Sequence, residues 1–248
     1  MRLTHLFFLL FLLFHLGCKT HLTKIEAKQI NISQSISTNS EIEDFIKPYR
    51  THIERDLDST LSYAPKTYTK NDNELNTAIG NLMAEIVYAQ GNPIFKKRTN
   101  NNIDIVLLNH GGIRAPIPKG PISTRTAYEV MPFENKMVVV ALRGETLNEM
   151  VSYLVSSKNA HPFLGLKITL DQEYKLQNVA VNGKPIEQNK VYHIATSNYL
   201  YNGGDNMNFF KSNEGVVDLD YKIRNAMIDY FKRTDTIKPV KDDRFIRK

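Results

Sequence analysis

Ile42, Phe45, Ile46, Tyr49, Ile53 and Leu57 recur at helical spacing after Glu41, which predicts an amphipathic helix, kinked or split at Pro48. Residues 61–70 read as extended. A second helix is expected over about 76–90, with Ile79, Leu82, Met83, Ile86 and Val87 on its buried stripe and Gly91 as its stop. Residues 103–108 are almost continuously apolar, the pattern of a strand covered on both faces. Ser123 can cap a short helix reaching Val130. A strand is expected over 136–142 and a helix over 146–157. Further strands follow over 167–170, 177–181 and 191–196, with Asn182-Gly183 as a tight turn folding one onto its neighbour. A last helix is expected over about 219–231. Helices first, then strands mixed with helices and hairpins, predict an α+β fold: a single domain with a mixed β-sheet flanked by helices.

The start of the chain follows another pattern. Residues 6–16 are apolar except for His15, too short a run to span a bilayer, which takes roughly 20 residues. The run suits the apolar region of a secretory signal. It ends in Leu16-Gly17-Cys18, which resembles a bacterial lipoprotein box, whose cysteine receives diacylglycerol. Residues 19–40 are polar and rich in Ser, Thr and Asn. The expected organisation is a signal peptide over 1–17, a flexible tether over 18–40 and one domain over 41–248. The expected location is a bacterial cell envelope, the exported chain held to a membrane by a lipid on Cys18 and facing the periplasm or the surface.

Composition narrows the classes. The 248 residues are 42% hydrophobic and 23% charged, a globular balance that excludes a disordered chain and a multi-pass membrane protein. Cys18 is the only cysteine, so no internal disulfide or four-cysteine zinc site can form. Of the net charge of +6, residues 232–248 carry +4, and the near-neutral remainder argues against a nucleic-acid-binding surface. This basic end reads as a solvated tail, or a weak electrostatic contact with an anionic membrane or partner, dispensable for ligand binding.

Three loops at predicted strand ends carry the candidate chemistry. In Asn109-His110-Gly111-Gly112-Ile113-Arg114, the glycines let a ligand approach the backbone and Arg114 offers a fork of donors. Met131-Pro132-Phe133-Glu134-Asn135 supplies an apolar ring and an amide on a proline-fixed turn. The third loop, residues 197–205, carries Tyr199, Gly203, Gly204 and Asp205; a phosphate cradle would want a lysine in place of that aspartate. A carboxylate beside an aromatic ring suits sugar hydroxyls and a stacked ring. Taken singly, the first loop reads better as a surface turn with a solvated arginine and the second as a packed turn.

In this order the three loops resemble the C-terminal domain of the 5′-nucleotidase family, which includes UDP-sugar hydrolases and cyclic-nucleotide phosphodiesterases. Ile79-Gly80-Asn81-Leu82 is similar to that family's Leu-Gly-Asn-Leu helix start, and Arg143-Gly144-Glu145 falls where the family places a Thr-Gly turn. The resemblance implies a domain that binds the nucleoside part of a substrate. Phe133 and Tyr199 would clamp the base, Tyr199 keeping the π-face of the Phe often found there. Asp205 would accept from the ribose hydroxyls, and Arg114 would lie toward ribose and phosphate. Asn109 and Asn135 would meet the base edge or order its loop. The family also has arginines shortly before the Gly-Asn-Leu helix, whereas residues 71–75 here (Asn-Asp-Asn-Glu-Leu) hold no basic residue.

The family's hydrolysis resides in a larger metallophosphatase domain, where two metals activate water and stabilise the leaving oxygen. None of its ligand motifs occurs in this sequence, and the seven histidines show no ligand spacing. No catalytic residue and no metal ligand is assigned, and no cofactor is expected in this chain. The expected partners are a nucleotide or nucleoside and a separate metallophosphatase polypeptide that carries the divalent metals. A non-catalytic nucleoside-binding or scavenging lipoprotein is the alternative.

Overall fold

The computed structural model describes residues 26–248, so the expected signal peptide and Cys18 lie outside the described residues. The described residues divide into two compact units, one up to residue 47 and one over 48–248. In the first, residues 26–39 hold only a turn at 34–36. Helix α1 (Ser40–Asp58) then begins with acidic residues in its first turn, complementing the helix dipole. It runs through Pro48 without being split. Its amphipathic period is present, yet none of its residues is buried.

The second unit runs β1 (Thr60–Ala64), α2 (Ala78–Thr99), β2 (Ile105–Leu107), β3 (Gly120–Ser123), α3 (Thr124–Val130), β4 (Lys136–Arg143), α4 (Gly144–Ser157), β5 (Phe163–Leu164), β6 (Leu166–Leu170), β7 (Leu176–Val181), β8 (Val191–Ser197), α5 (Asn198–Tyr201), β9 (Gly215–Lys222), α6 (Ile223–Phe231) and β10 (Phe245–Arg247). The α+β class stands, with the strands shared among three sheets: β1-β3, β10-β6-β7 and β5-β2-β8-β4-β9. In the five-stranded sheet β2 and β8 are parallel, while β4 runs antiparallel to both β8 and β9.

Alternation along these strands builds two cores. Val106, Met137, Val139 and Ala195 face α2, α3 and α6, whereas Ile105, Leu107, Val138, Val140 and Ile194 face α4 and the β10-β6-β7 sheet. Burial on both faces is why their sequences are continuously apolar.

Four sequence expectations need correction. Helix α2 does not stop at Gly91 but runs on to Thr99. A Cβ at Gly91 would lie 3.3 Å from Leu219 and 3.4 Å from Met137, so this glycine makes room for the sheet. Asn100, left-handed with φ 62°, closes the helix by donating to the Lys96 carbonyl at 2.8 Å. Residues 219–222 belong to β9, where Val217 and Leu219 alternate with Asp218 and Asp220; only from Ile223 does the chain turn helical. Asn182-Gly183 does form a two-residue turn, both residues at positive φ, but it closes only Val181 onto Lys184. The hairpin partner of β7 is β6, and β8 enters the other sheet.

The basic end is no solvated tail. Strand β10 pairs parallel with β6, and Phe245 is buried. Arg244 donates to the Phe163 carbonyl at 2.8 Å and pairs with Glu85 at 2.9 Å. Asn76 and Asn81 donate to the carbonyls of Asp242 and Val240 at 2.8 and 2.9 Å.

Candidate functional site

Topology brings the three candidate loops together. β2 and β8 are parallel neighbours, so their C-terminal ends, leading to Asn109 and to Tyr199, share one end of the sheet. β4 is antiparallel to β8, with Met137 opposite Ser197, so the loop that precedes it, bearing Phe133 and Asn135, opens at that same end. A cavity of about 250 Å³ lies there, lined by Asn109, Gly111, Gly112, Arg114, Phe133, Asn135, Tyr199 and Asp205. These are eight of the ten ligand-binding residues expected from the sequence. Gly203 and Gly204 do not line it and act from behind. Gly203 takes φ 93°, which glycine alone adopts freely, and a Cβ on Gly204 would fall 2.4 Å from the Tyr199 ring that packs on it.

Each side chain has a local cause for its position. Ser197 caps α5 by accepting from the Leu200 N–H at 3.1 Å, which sets the helical turn bearing Tyr199. Asn109 is buried, and a Cβ on Gly112 would lie 2.8 Å from its Oδ1; the glycine admits the amide. Arg114 donates to the Gly111 carbonyl at 3.3 Å, and its guanidinium carbon stands 6.0 Å from the Phe133 ring centroid. Phe133 and Tyr199 are 39% and 44% exposed, a degree of exposure that leaves ring surface for a ligand.

Asp205 is the most constrained group of the site. Its backbone is left-handed with φ 51°. Its Oδ1 accepts from the Tyr199 hydroxyl at 2.8 Å and its Oδ2 from Asn109 Nδ2 at 2.9 Å. Its carbonyl accepts from the Tyr153 hydroxyl at 2.8 Å. A carboxylate offers about four acceptor positions, so about two remain free toward the cavity. The hydrogen bond to this carboxylate pushes the Tyr199 phenol above its ordinary range, so it remains a donor at neutral pH. Burial, with the Asp205 charge, does the same for Tyr153.

Sequence reasoning missed the groups behind and beside the cavity. His161 is buried beneath it; its Nδ1 accepts from the His110 N–H at 3.3 Å, and burial pushes it down to about 4, so the ring is neutral. His110 Nε2 lies 3.3 Å from the Lys70 carbonyl. Lys70, with Thr69, Asn71, Arg114, Ala115 and Pro116, lines a second hollow of about 290 Å³ that shares Arg114 with the first. Lys70 immediately precedes the stretch without basic residues, and nothing in its sequence context distinguishes it from a solvated lysine. Among the described residues, no three His, Cys, Asp or Glu side chains are grouped as metal ligands, and no helix is long and apolar enough to cross a membrane.

Residues 57–212 match the family model described as 5′-nucleotidase, C-terminal domain. A cell wall protein of Listeria monocytogenes is 25% identical over 225 residues, which are 84% of this chain and 29% of that protein. The 5′-nucleotidase of Vibrio cholerae is 21% identical over 216 residues, 86% of this chain and 38% of the enzyme. The solved structure of a 5′-nucleotidase precursor from Thermus thermophilus shares the fold, with a TM-score of 0.69 at 23% identity; the match covers 84% of this chain and 43% of that one. The chain thus spans less than half the length of these relatives.

Proposed function

Because the chain belongs to the 5′-nucleotidase C-terminal domain family, we propose that it binds the nucleoside part of a nucleotide or nucleoside at the cavity between β2, β4 and β8. The observation that carries this reading is the convergence of two half-exposed aromatic rings and one tethered carboxylate on a single opening. A base stacks between Phe133 and Tyr199, each ring contributing about 1–3 kcal/mol. The two free acceptor positions of Asp205 take the ribose 2′- and 3′-hydroxyls. Asn109 and Asn135 meet the base edge or order its loop, while Arg114 points toward ribose and phosphate. The hollow shared by Arg114 and Lys70 supports a phosphate leaving the cavity on that side, a cation standing close to where residues 71–75 have none.

Phosphomonoester hydrolysis, in this reading, belongs to a separate metallophosphatase chain that brings the divalent metals. This domain contributes nucleoside binding energy that positions the phosphate. The Listeria relative's description as a cell wall protein supports export, and Leu16-Gly17-Cys18 supports a lipid anchor on Cys18 in a bacterial envelope. A nucleoside scavenger without a hydrolytic partner is the second reading, favoured by the missing basic residue at 71–75.

Calorimetry of the full chain with adenosine, uridine and their 5′-monophosphates, without metal, tests the first point. Binding of any of these, lost in Phe133→Ala, supports the reading; a folded protein giving no heat with all four at millimolar concentration overturns it. Tighter binding of the monophosphates, abolished in Arg114→Ala, separates the nucleotide reading from the scavenger.

A further inference from the structure

The loop that carries Phe133 is held from inside the protein by one side chain to which sequence reasoning gave no role. Arg224 lies in the first turn of α6 and is 3% exposed. Its Nη1 donates to the carbonyls of Pro132 at 3.2 Å and Phe133 at 3.3 Å, and its Nη2 binds the carboxylate of Glu134. Its guanidinium carbon stands 4.0 Å from the Tyr128 ring centroid. The neighbouring Ile223 N–H donates to the Asn135 carbonyl at 3.0 Å, so acceptors on four consecutive loop residues end on two residues of α6.

From this convergence we infer that Arg224 is a positioning residue of the nucleoside site, its buried guanidinium fixing the 132–134 backbone so that the Phe133 ring is presented to the cavity. The inference rests on the reading of Phe133 as a stacking face. Two physical arguments carry it. A planar fork of five donors can serve two carbonyls and a carboxylate while its face rests on an aromatic ring; an ammonium cannot. Stability alone is also a poor reason for the residue, since Arg224 Nε is buried without a partner and a buried ion pair as a whole is often replaceable by well-packed apolar side chains at no loss. The same topology that gathers the loops places it, because Lys222 at the end of β9 lies opposite Lys136 at the start of β4. The second ring is tied to this frame: Asn198 Oδ1, beside Tyr199, accepts from the Lys136 N–H at 3.0 Å.

The chain contains no tryptophan, so Phe133→Trp creates a lone fluorescent reporter on the loop. In the full-length protein, Arg224→Lys is expected to lower the reporter's anisotropy below the melting range and, with Phe133 restored, to weaken adenosine binding at least fivefold. A purely structural arginine would move the melting temperature and leave both readings unchanged. If Arg224→Lys does not fold, Glu134→Ala serves instead. It removes an exposed partner of the guanidinium and is expected to loosen the reporter and weaken adenosine two- to threefold. A folded variant, Arg224→Lys or in its place Glu134→Ala, with anisotropy and affinity equal to the parent's overturns the inference. A parent that binds neither adenosine nor uridine overturns the nucleoside reading instead, while the anisotropy comparison still decides whether Arg224 holds the loop.

Discussion

Tyr199→Phe removes one oxygen and leaves the stacking face, and from the sequence alone it should cost little. The structure gives that oxygen a partner, Asp205 Oδ1 at 2.8 Å, in a carboxylate whose other oxygen is held by Asn109. Without the hydroxyl, Asp205 keeps the Asn109 tether on Oδ2 but loses the one that fixes Oδ1, so its carboxylate is less tightly oriented. Hydrogen bonds to charged groups contribute about 1.5–3 kcal/mol, and screening at a half-exposed ring brings this nearer 0.5–1.5 kcal/mol. The expected result is therefore a loss of about threefold to tenfold in affinity for adenosine. A ligand without ribose hydroxyls, 2′,3′-dideoxyadenosine, should bind variant and wild type alike, since it uses the rings and not the carboxylate. Calorimetry with both ligands supplies the comparison. Equal losses for the two would place the effect in the ring's position, and tighter adenosine binding would mean that Tyr199 competes with ribose for Asp205. Either outcome refutes the reasoning. The Tyr199 phenol is raised above its ordinary value, so it stays protonated and the difference should be flat between pH 6 and about 9.

Deleting residues 238–248 should destabilise the domain markedly, because it removes buried Phe245, strand β10 and the Arg244–Glu85 pair; loss of a buried aromatic alone costs about 3–5 kcal/mol. A truncated chain melting within 2–3 °C of the parent, on the order of ΔΔG below 1 kcal/mol, would contradict this. The Glu134 carboxyl is pushed down to about 2 by hydrogen bonds from Arg224 and Lys222, so its contribution to loop order is complete above the ordinary value of 4.5 and is lost as pH falls through 2. The anisotropy of the Phe133→Trp reporter should accordingly hold steady above pH 5 and decline toward pH 2, with Glu134→Gln flat over that range. Cys18→Ser should leave the protein unlipidated and release it from membranes or block its processing; mass spectrometry showing an intact Met1 on the wild type would rule the anchor out.

The candidate loops were legible in the sequence because they are short and lie at strand ends, where Gly-Gly, Pro-Phe and Asn-Tyr are exceptions to the surrounding pattern, and the structure brings them to one cavity. What supports the site was not legible, because it comes from distant segments. Arg224 lies about ninety residues from the loop it holds, and Tyr153 about fifty from Asp205. The errors in the fold have the same origin. Gly91 carries the local signal of a helix end, but packing against Leu219 and Met137 overrides it. Leu219, Ile223, Ala226 and Met227 fit a helical period, yet the first of them closes a strand, since a single apolar position satisfies either repeat. Counting charges at the basic end hid the buried residues there, among them Ile237 and Phe245.

That end has a consequence for how the fold is tied together. Tyr63 pairs with Asp235 and Ile237, Asn81 with Val240, Asn76 with Asp242, and Ile168 with Phe245. Each ties this segment to a part of the fold distant from it in sequence. Without residues 235–242 the Tyr63 backbone and the side-chain amides of Asn76 and Asn81 would lose these partners, although β1 would keep its pairing with β3. The segment acts as a clasp across β1, the start of α2 and β6, elements that the five-stranded sheet does not include.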